Sequence, residues 1–176
     1  MDKYNTIHLA GQLYARLQGN TDIVFLCLGT SKMLADAYGP MVGSLLKNKY
    51  NIPTYVYGDL VKNVNAININ DYLQMIKKAH PYSHIIVIDS ALGNELNIGK
   101  IKFLGCGTIP RSALDNSLYL IGDSSILAII ESHSKDFMLI KTKRGFVTEL
   151  AETTASAINQ YFALSKTLHN KQLMKM

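Results

Sequence analysis

The chain has 176 residues, about half of them apolar, and a net charge of +5 from 18 basic and 13 acidic side chains. Its length suits a single domain, at roughly 150 residues per domain, with enough apolar content for a sizeable core. The basic excess is mild and scattered, apart from Lys77–Lys78 and the run from Lys141 to Arg144, so it lacks the dense, aromatic-interleaved face of a nucleic-acid binder. No apolar run reaches the ~18–20 residues of a membrane span. The opening "MDKYNTIHLAGQLYARLQ" lacks the basic-then-apolar layout of a secretion signal, so a cytoplasmic protein without nucleic-acid or membrane partners is expected.

In chain order, Ile7, Ala10, Leu13, Tyr14 and Leu17 recur at helical spacing, and Gly19 and Asn20 end that helix. The run "IVFLCL" (Ile23 to Leu28) reads as a strand covered on both faces. A polar loop holding Asp36 follows, then a helix with Met41, Val42, Leu45 and Leu46 on one stripe. Pro40 pushes the start of that helix to Ala37 or later. "IPTYVYG" (Ile52 to Gly58) is a second strand. Asn70 is the expected cap of a helix that buries Leu73, Ile76 and Ala79 and stops before Pro81.

"HIIVIDSALG" (His84 to Gly93) is the third strand and the loop after it. "GKIKFLGCG", "SLYLIGD" and "SSILAIIES" read as further strands. A closing helix carries Val147, Leu150, Thr154, Ile158 and Tyr161 on one face, with a frayed tail over 170–176. The pattern leaves Lys135 to Lys143 open between strand and helix. Alternation of helices with apolar strands gives an α/β class with a largely parallel sheet and helices on both faces. The core spans about residues 22–165 of a single domain, after an N-terminal helix over 1–18.

In such sheets ligands and chemistry gather at the carboxyl ends of strands. That selects the loop after Leu28, with Asp36, and the one after Ile88, with Asp89. Asp36 reads equally well as a helix cap and as a site residue. Asp89 ends the run "IIVI", where a buried carboxylate is costly without partners, so a functional role is the stronger reading. Two neighbouring carboxylates can share a proton and hold a water for attack on a carbonyl, or ligate a divalent cation with a third group. Spacing alone does not choose between these.

Other chemistries lose ground. There is no Gly-x-Ser-x-Gly elbow, no Walker loop, no dinucleotide fingerprint and no zinc motif. Cys27 and Cys106 stand apart and are expected to be free, buried thiols. Ser31 and Ser90 have no evident base and read as hydrogen-bonding loop residues. His133 follows "LAIIES" near the carboxyl edge, though a surface histidine is the simpler reading.

At these two loops the chain resembles a known family. "LCLGTSKMLADAYGPMVGSLL" is similar to the first motif of the YyaC-type sporulation proteins, with Gly29, Thr30, Asp36, Gly39 and Pro40 in place. "VYGDLVKNVNAININDYL" resembles the next segment, and "HIIVIDSALG" the second motif; the likeness runs from about Ile23 to Phe162. The family is related to the germination protease of bacterial spores and to the hydrogenase maturation endopeptidases. The resemblance implies a three-layer α/β/α sandwich of phosphorylase/hydrolase-like type, and it favours a helix over Lys135 to Lys143.

For the site, the resemblance implies a catalytic pair, Asp36 and Asp89, in hydrolysis of a protein substrate such as the small acid-soluble spore proteins. No cofactor is then required. The maturation enzymes imply instead a divalent metal on Asp36 and Asp89, for which His133 is the positional candidate as third ligand. The loop "TSKMLA" departs from both proteases, and the chain is much shorter than the germination protease. A non-catalytic sporulation protein that binds a protein or small ligand on the same fold is therefore the competing expectation.

Overall fold

The computed structural model describes residues 3–109, 120–132 and 143–173. Among these residues five strands form one sheet: β1 (Ile23–Cys27), β2 (Tyr55–Tyr57), β3 (His84–Gly93), β4 (Ile101–Leu104) and β5 (Ser124–Ser132), in the order β2-β1-β3-β5-β4. All neighbours are parallel except the edge strand β4, which runs antiparallel to β5. Helices α1 (Lys3–Leu17), α2 (Tyr38–Asn48), α3 (Ile69–Ala79) and α4 (Arg144–Leu173) complete a three-layer α/β/α sandwich.

Alternation along β1 divides the core. Ile23, Phe25 and Cys27 face the larger cluster, made with α1, α2 and α4. Val24 and Leu26 face the smaller one, made with α3. All five residues of β1 are buried, which is why the strand reads as an unbroken apolar run.

Several boundaries differ from the sequence pattern. The buried face of α1 is Thr6, Leu9, Ala10, Leu13 and Leu17, whereas Ile7 is 55% exposed. The stripe sits slightly further round the helix than Ile7 and Tyr14 suggest. Helix α3 has Asn68 rather than Asn70 at its N-cap, and no side chain caps it. The Asn68 Oδ1 instead accepts the Asn65 amide at 2.9 Å. That start turns Ile69 and Ile76 onto the sheet and leaves Ala79 exposed. Helix α4 runs on to Leu173, through the first part of the expected tail. Cys27 is buried but Cys106 is exposed; both are free. The reading of Lys135 to Lys143 as helix, the position of His133, and the first three residues of the strand expected in "SLYLIGD" lie outside the described residues; of its last four, Ile121 makes only an isolated antiparallel bridge with Thr108.

The largest difference lies in β3. The sequence ends this strand at the aspartate, but β3 continues through Ser90, Ala91, Leu92 and Gly93. β1 pairs with it only as far as Cys27 opposite Ile88. Beyond that point β5 is the one described strand paired with β3, with a bulge between Ala91 and Leu92. Asp89 is therefore an interior residue of a strand that has outrun one neighbour.

At the opposite end of β3, His84 Nε2 lies 2.9 Å from the Ser124 hydroxyl. Burial holds the imidazole below its ordinary value; Asp123 opposes this and Arg16 adds to it. The folded state thus binds the His84 proton less readily than the unfolded chain. This contribution to stability is complete above the ordinary histidine range and is lost as pH falls through it toward the lowered folded value. The thermal midpoint is expected to drop between about pH 7 and pH 5, and His84→Gln to flatten that part of the profile, as calorimetry would record.

Candidate functional site

Among the strands, β1 lies between β2 and β3 in space, so the chain leaves β1 to one side and returns on the other. The boundary between β1 and β3 is the switch point at which open α/β sheets form a crevice. Both aspartates belong to this boundary.

On the β1 side, the Leu28 amide still bonds Ile88 O at 2.8 Å, and Gly29 then turns the chain away. Gly29 has φ +131°, and a Cβ there would lie 2.0 Å from Asp36 O. The intervening loop closes on itself through Thr30 N–H to Asp36 O at 3.1 Å. Asp36 is the last residue of a short 3-10 helix (Leu34–Asp36) that packs against β3 and α4. The N-cap position of α2 is Ala37, and no side chain caps the helix. Asp36 is half-buried and is not the N-cap residue.

α2 begins directly above the strand ends. A Cβ on Gly39 would lie 2.1 Å from Leu28 O and 2.8 Å from Ile88 O, so only glycine permits this approach. The step brings Tyr38 into the core, where its hydroxyl meets Thr154 Oγ1 at 2.7 Å. Burial pushes the Tyr38 phenol well above its ordinary value, and the charge of Asp89 adds to the effect. Asp36 thus lies two residues before a side chain that feels the field of Asp89.

Asp89 is 8% exposed. Its Oδ1 accepts the Ser90 amide at 2.7 Å, so Ser90 is a strand residue rather than the loop residue the sequence suggested. Ser31 does act as a loop hydrogen-bonding residue, through a partner the sequence reading missed. Asn63 Oδ1 accepts the Ser31 amide at 3.0 Å, the Ser31 hydroxyl at 3.1 Å and the Thr30 hydroxyl at 3.4 Å. Its Nδ2 donates to Asp59 O at 2.6 Å.

Asp59 in turn accepts the Val61 and Lys62 amides and pairs with Lys47 at 2.6 Å. Burial works to raise the Asp59 carboxyl, but the bonds from Lys47, Lys62 and Val61 outweigh it and hold the group below its ordinary value. The signal for this network was local: Asp59 bonding amides two and three residues on is a turn device, in a stretch dense in asparagine.

Among the described residues no three His, Cys, Asp or Glu side chains cluster closely enough to hold a metal ion. Asp36 and Asp89 supply two carboxylates, and the third ligand considered, His133, lies outside those residues. A groove of about 410 Å³ lies elsewhere, between α2 and α4, lined by Met41, Leu45, Lys49 and Arg144 among others and by neither aspartate.

The sequence matches, over residues 1–157, the family described as "Protein of unknown function (DUF1256)". The chain belongs to that family. Uncharacterized protein YyaC of Bacillus subtilis (strain 168) is 30% identical over 140 residues, covering 78% of this chain and 68% of the relative. A [NiFe] hydrogenase maturation protease, HycI from Thermococcus kodakarensis KOD1, superposes with a TM-score of 0.55 at 17% identity. The superposition covers 86% of this chain and 99% of HycI. At that identity the likeness establishes a shared fold. The DUF1256 chain therefore shares the α/β/α fold of HycI, with both candidate aspartates at the switch point of its sheet.

Asn63 is expected to hold the Asp36 loop in place. Asn63→Ala removes the acceptor for three donors and should cost about 1–3 kcal/mol in urea unfolding. It should also speed tryptic cleavage at the exposed Lys32 under native conditions, because that loop would open locally more often.

Proposed function

We propose that this DUF1256 protein is an endopeptidase acting on a protein substrate in a spore-forming cell, with Asp36 and Asp89 as its catalytic pair. The observation that carries this reading is the meeting of the two aspartates' elements at the β1/β3 boundary, where the 3-10 helix ending in Asp36 packs on β3. Burial of Asp89 supports it, since a carboxylate at 8% exposure is expensive to keep for structure alone.

In this reading one carboxylate, ionised, takes a proton from a water as the water attacks the scissile carbonyl. The other, protonated, donates a hydrogen bond to the carbonyl oxygen as it gains negative charge. The proton then passes to the departing amine. A pair sharing one proton gives a bell-shaped rate profile whose two limbs belong to the pair rather than to either residue. Likeness to YyaC-type proteins favours a sporulation role, with small spore proteins as candidate substrates.

A second reading has its own observation. The groove between α2 and α4 is the kind of concave, largely apolar surface that holds a ligand, and neither aspartate lines it. A non-catalytic binding protein would use that groove and leave the aspartates idle.

Incubation of the purified protein with small acid-soluble spore proteins, read by mass spectrometry of the products, separates the two. The wild type is expected to cut, and Asp36→Asn and Asp89→Asn to lower the rate by at least about 100-fold while remaining folded. Equal behaviour of all three would sink the peptidase reading. Calorimetric titration with nickel and zinc tests the metal-bound variant of the site: binding lost in both aspartate variants would support it, and absence of binding to the wild type would remove it.

A further inference from the structure

Helices α2 and α4 line one groove with two stripes that do not close on each other. Met41, Leu45 and Asn48 recur at i, i+4 and i+7 on α2, and Arg144, Thr148 and Ala151 at the same spacing on α4. Each stripe spans about 10 Å at 1.5 Å per residue. The groove between them, about 410 Å³, has the size of a small-molecule site. It stays open because α4 presents small side chains there, Thr148 and Ala151, where a larger residue would fill the gap.

The walls are held in place by the fold itself. Leu60 contributes from the connection after β2, and Ser44 Oγ accepts its amide at 3.0 Å. The Lys47–Asp59 pair, at 2.6 Å, anchors the same turn. Met41 and Leu45 are packed against the larger core cluster. A ligand that enters such a site has few protein groups to order.

The charge of the lining is one-sided. Of the nine described residues that form it, two are cationic, Lys49 and Arg144, and none is acidic. Glu152 engages Lys49 at 2.7 Å. Arg144 forms no ion pair or side-chain hydrogen bond among the described residues, and neither do the Asn48 amide and the Thr148 hydroxyl. The first turn of α4, where Arg144 stands, holds no acidic residue either. An apolar trough with an unengaged guanidinium at one end of a stripe suits a ligand with an apolar body and one anionic head.

We propose that this groove binds an unbranched aliphatic carboxylate of medium length, with its chain along Met41, Leu45, Leu60 and Ala151 and its head on Arg144. The guanidinium takes the carboxylate through two parallel N–H···O bonds, and the chain loses its apolar surface to the helix stripes. The inference deepens the binding reading of the groove and rests on it for one point, that the groove holds a ligand at all. It is independent of the aspartates, which lie elsewhere.

The test titrates octanoate into the purified protein by calorimetry, beside octanol and octylammonium, which keep the chain and change the head. Octanoate is expected to bind at least about tenfold more tightly than either. Arg144→Gln should remove about that factor for octanoate and leave octanol unchanged. Thr148→Phe, which fills the gap between the helices, should abolish binding of all three. Both positions are exposed on α4, so circular dichroism of the variants is expected to match the wild type. In spectra of methyl-labelled methionine, the Met41 signal is expected to shift on saturation while those of the exposed Met33 and Met75 hold still.

Octanol or octylammonium binding as tightly as octanoate would overturn the anionic class and keep the groove as a ligand site. No binding of any of the three up to about 1 mM, or a shift confined to Met33 or Met75, would overturn both.

Discussion

Helix α2 begins so close to the sheet that the α-carbon of Gly39 rests on the carbonyls of Leu28 and Ile88, where any side chain would collide at 2.1 and 2.8 Å. This contact is what ties the loop after β1 to β3. It sets where Tyr38 enters the core and, through the tight turn at Gly29, how the 3-10 helix carrying Asp36 lies against β3. A residue larger than glycine would move α2 outward. The crevice between β1 and β3 would then lose its floor, together with the seating of Val42 and Leu46 against the sheet.

A second constraint holds the crevice from the side. Lys47 on α2, Asp59 after β2 and Asn63 form a chain of bonds that ends on Thr30 and Ser31. The chain joins α2, the connection after β2 and the loop after β1 into one polar unit. Such a unit fixes a loop conformation that apolar packing could not define, since directional bonds allow few alternatives. It stands beside a sheet boundary that carries a buried carboxylate, Asp89. The two features belong to one place because β1 is short: its early end frees the loop while β3 runs on past it.

The class and most elements were legible in the sequence because burial leaves a period. β1 reads as an apolar run since it is covered on both faces, and the face of α4 from Val147 to Tyr161 keeps the helical repeat because it lies against α1 and α2 in the larger core cluster. Misreadings cluster where polar contacts decide the outcome. Asn70 has the composition of a cap, yet the helix starts two residues earlier, after Asn68, from a turn bonded through Asn65 and Asn68. Of the site, the two aspartates stood out by position. Asn63, whose acceptor is shared by donors about thirty residues back along the chain, did not.

The sequence alone determined the alternating α/β order, the strand that carries Asp89 and the loop that carries Asp36, because these follow from local periodicity and turn chemistry. It also carried membership of the DUF1256 family, which lies in the residues themselves. Only the tertiary structure decided that Asp36 is not the N-cap of α2, that Asp89 lies inside its strand, and that β3 runs on past the end of its pairing with β1. Each depends on where a neighbouring strand stops. Strand length is set by pairing between segments some sixty residues apart, as in Cys27 opposite Ile88, and no local pattern records where such pairing ends.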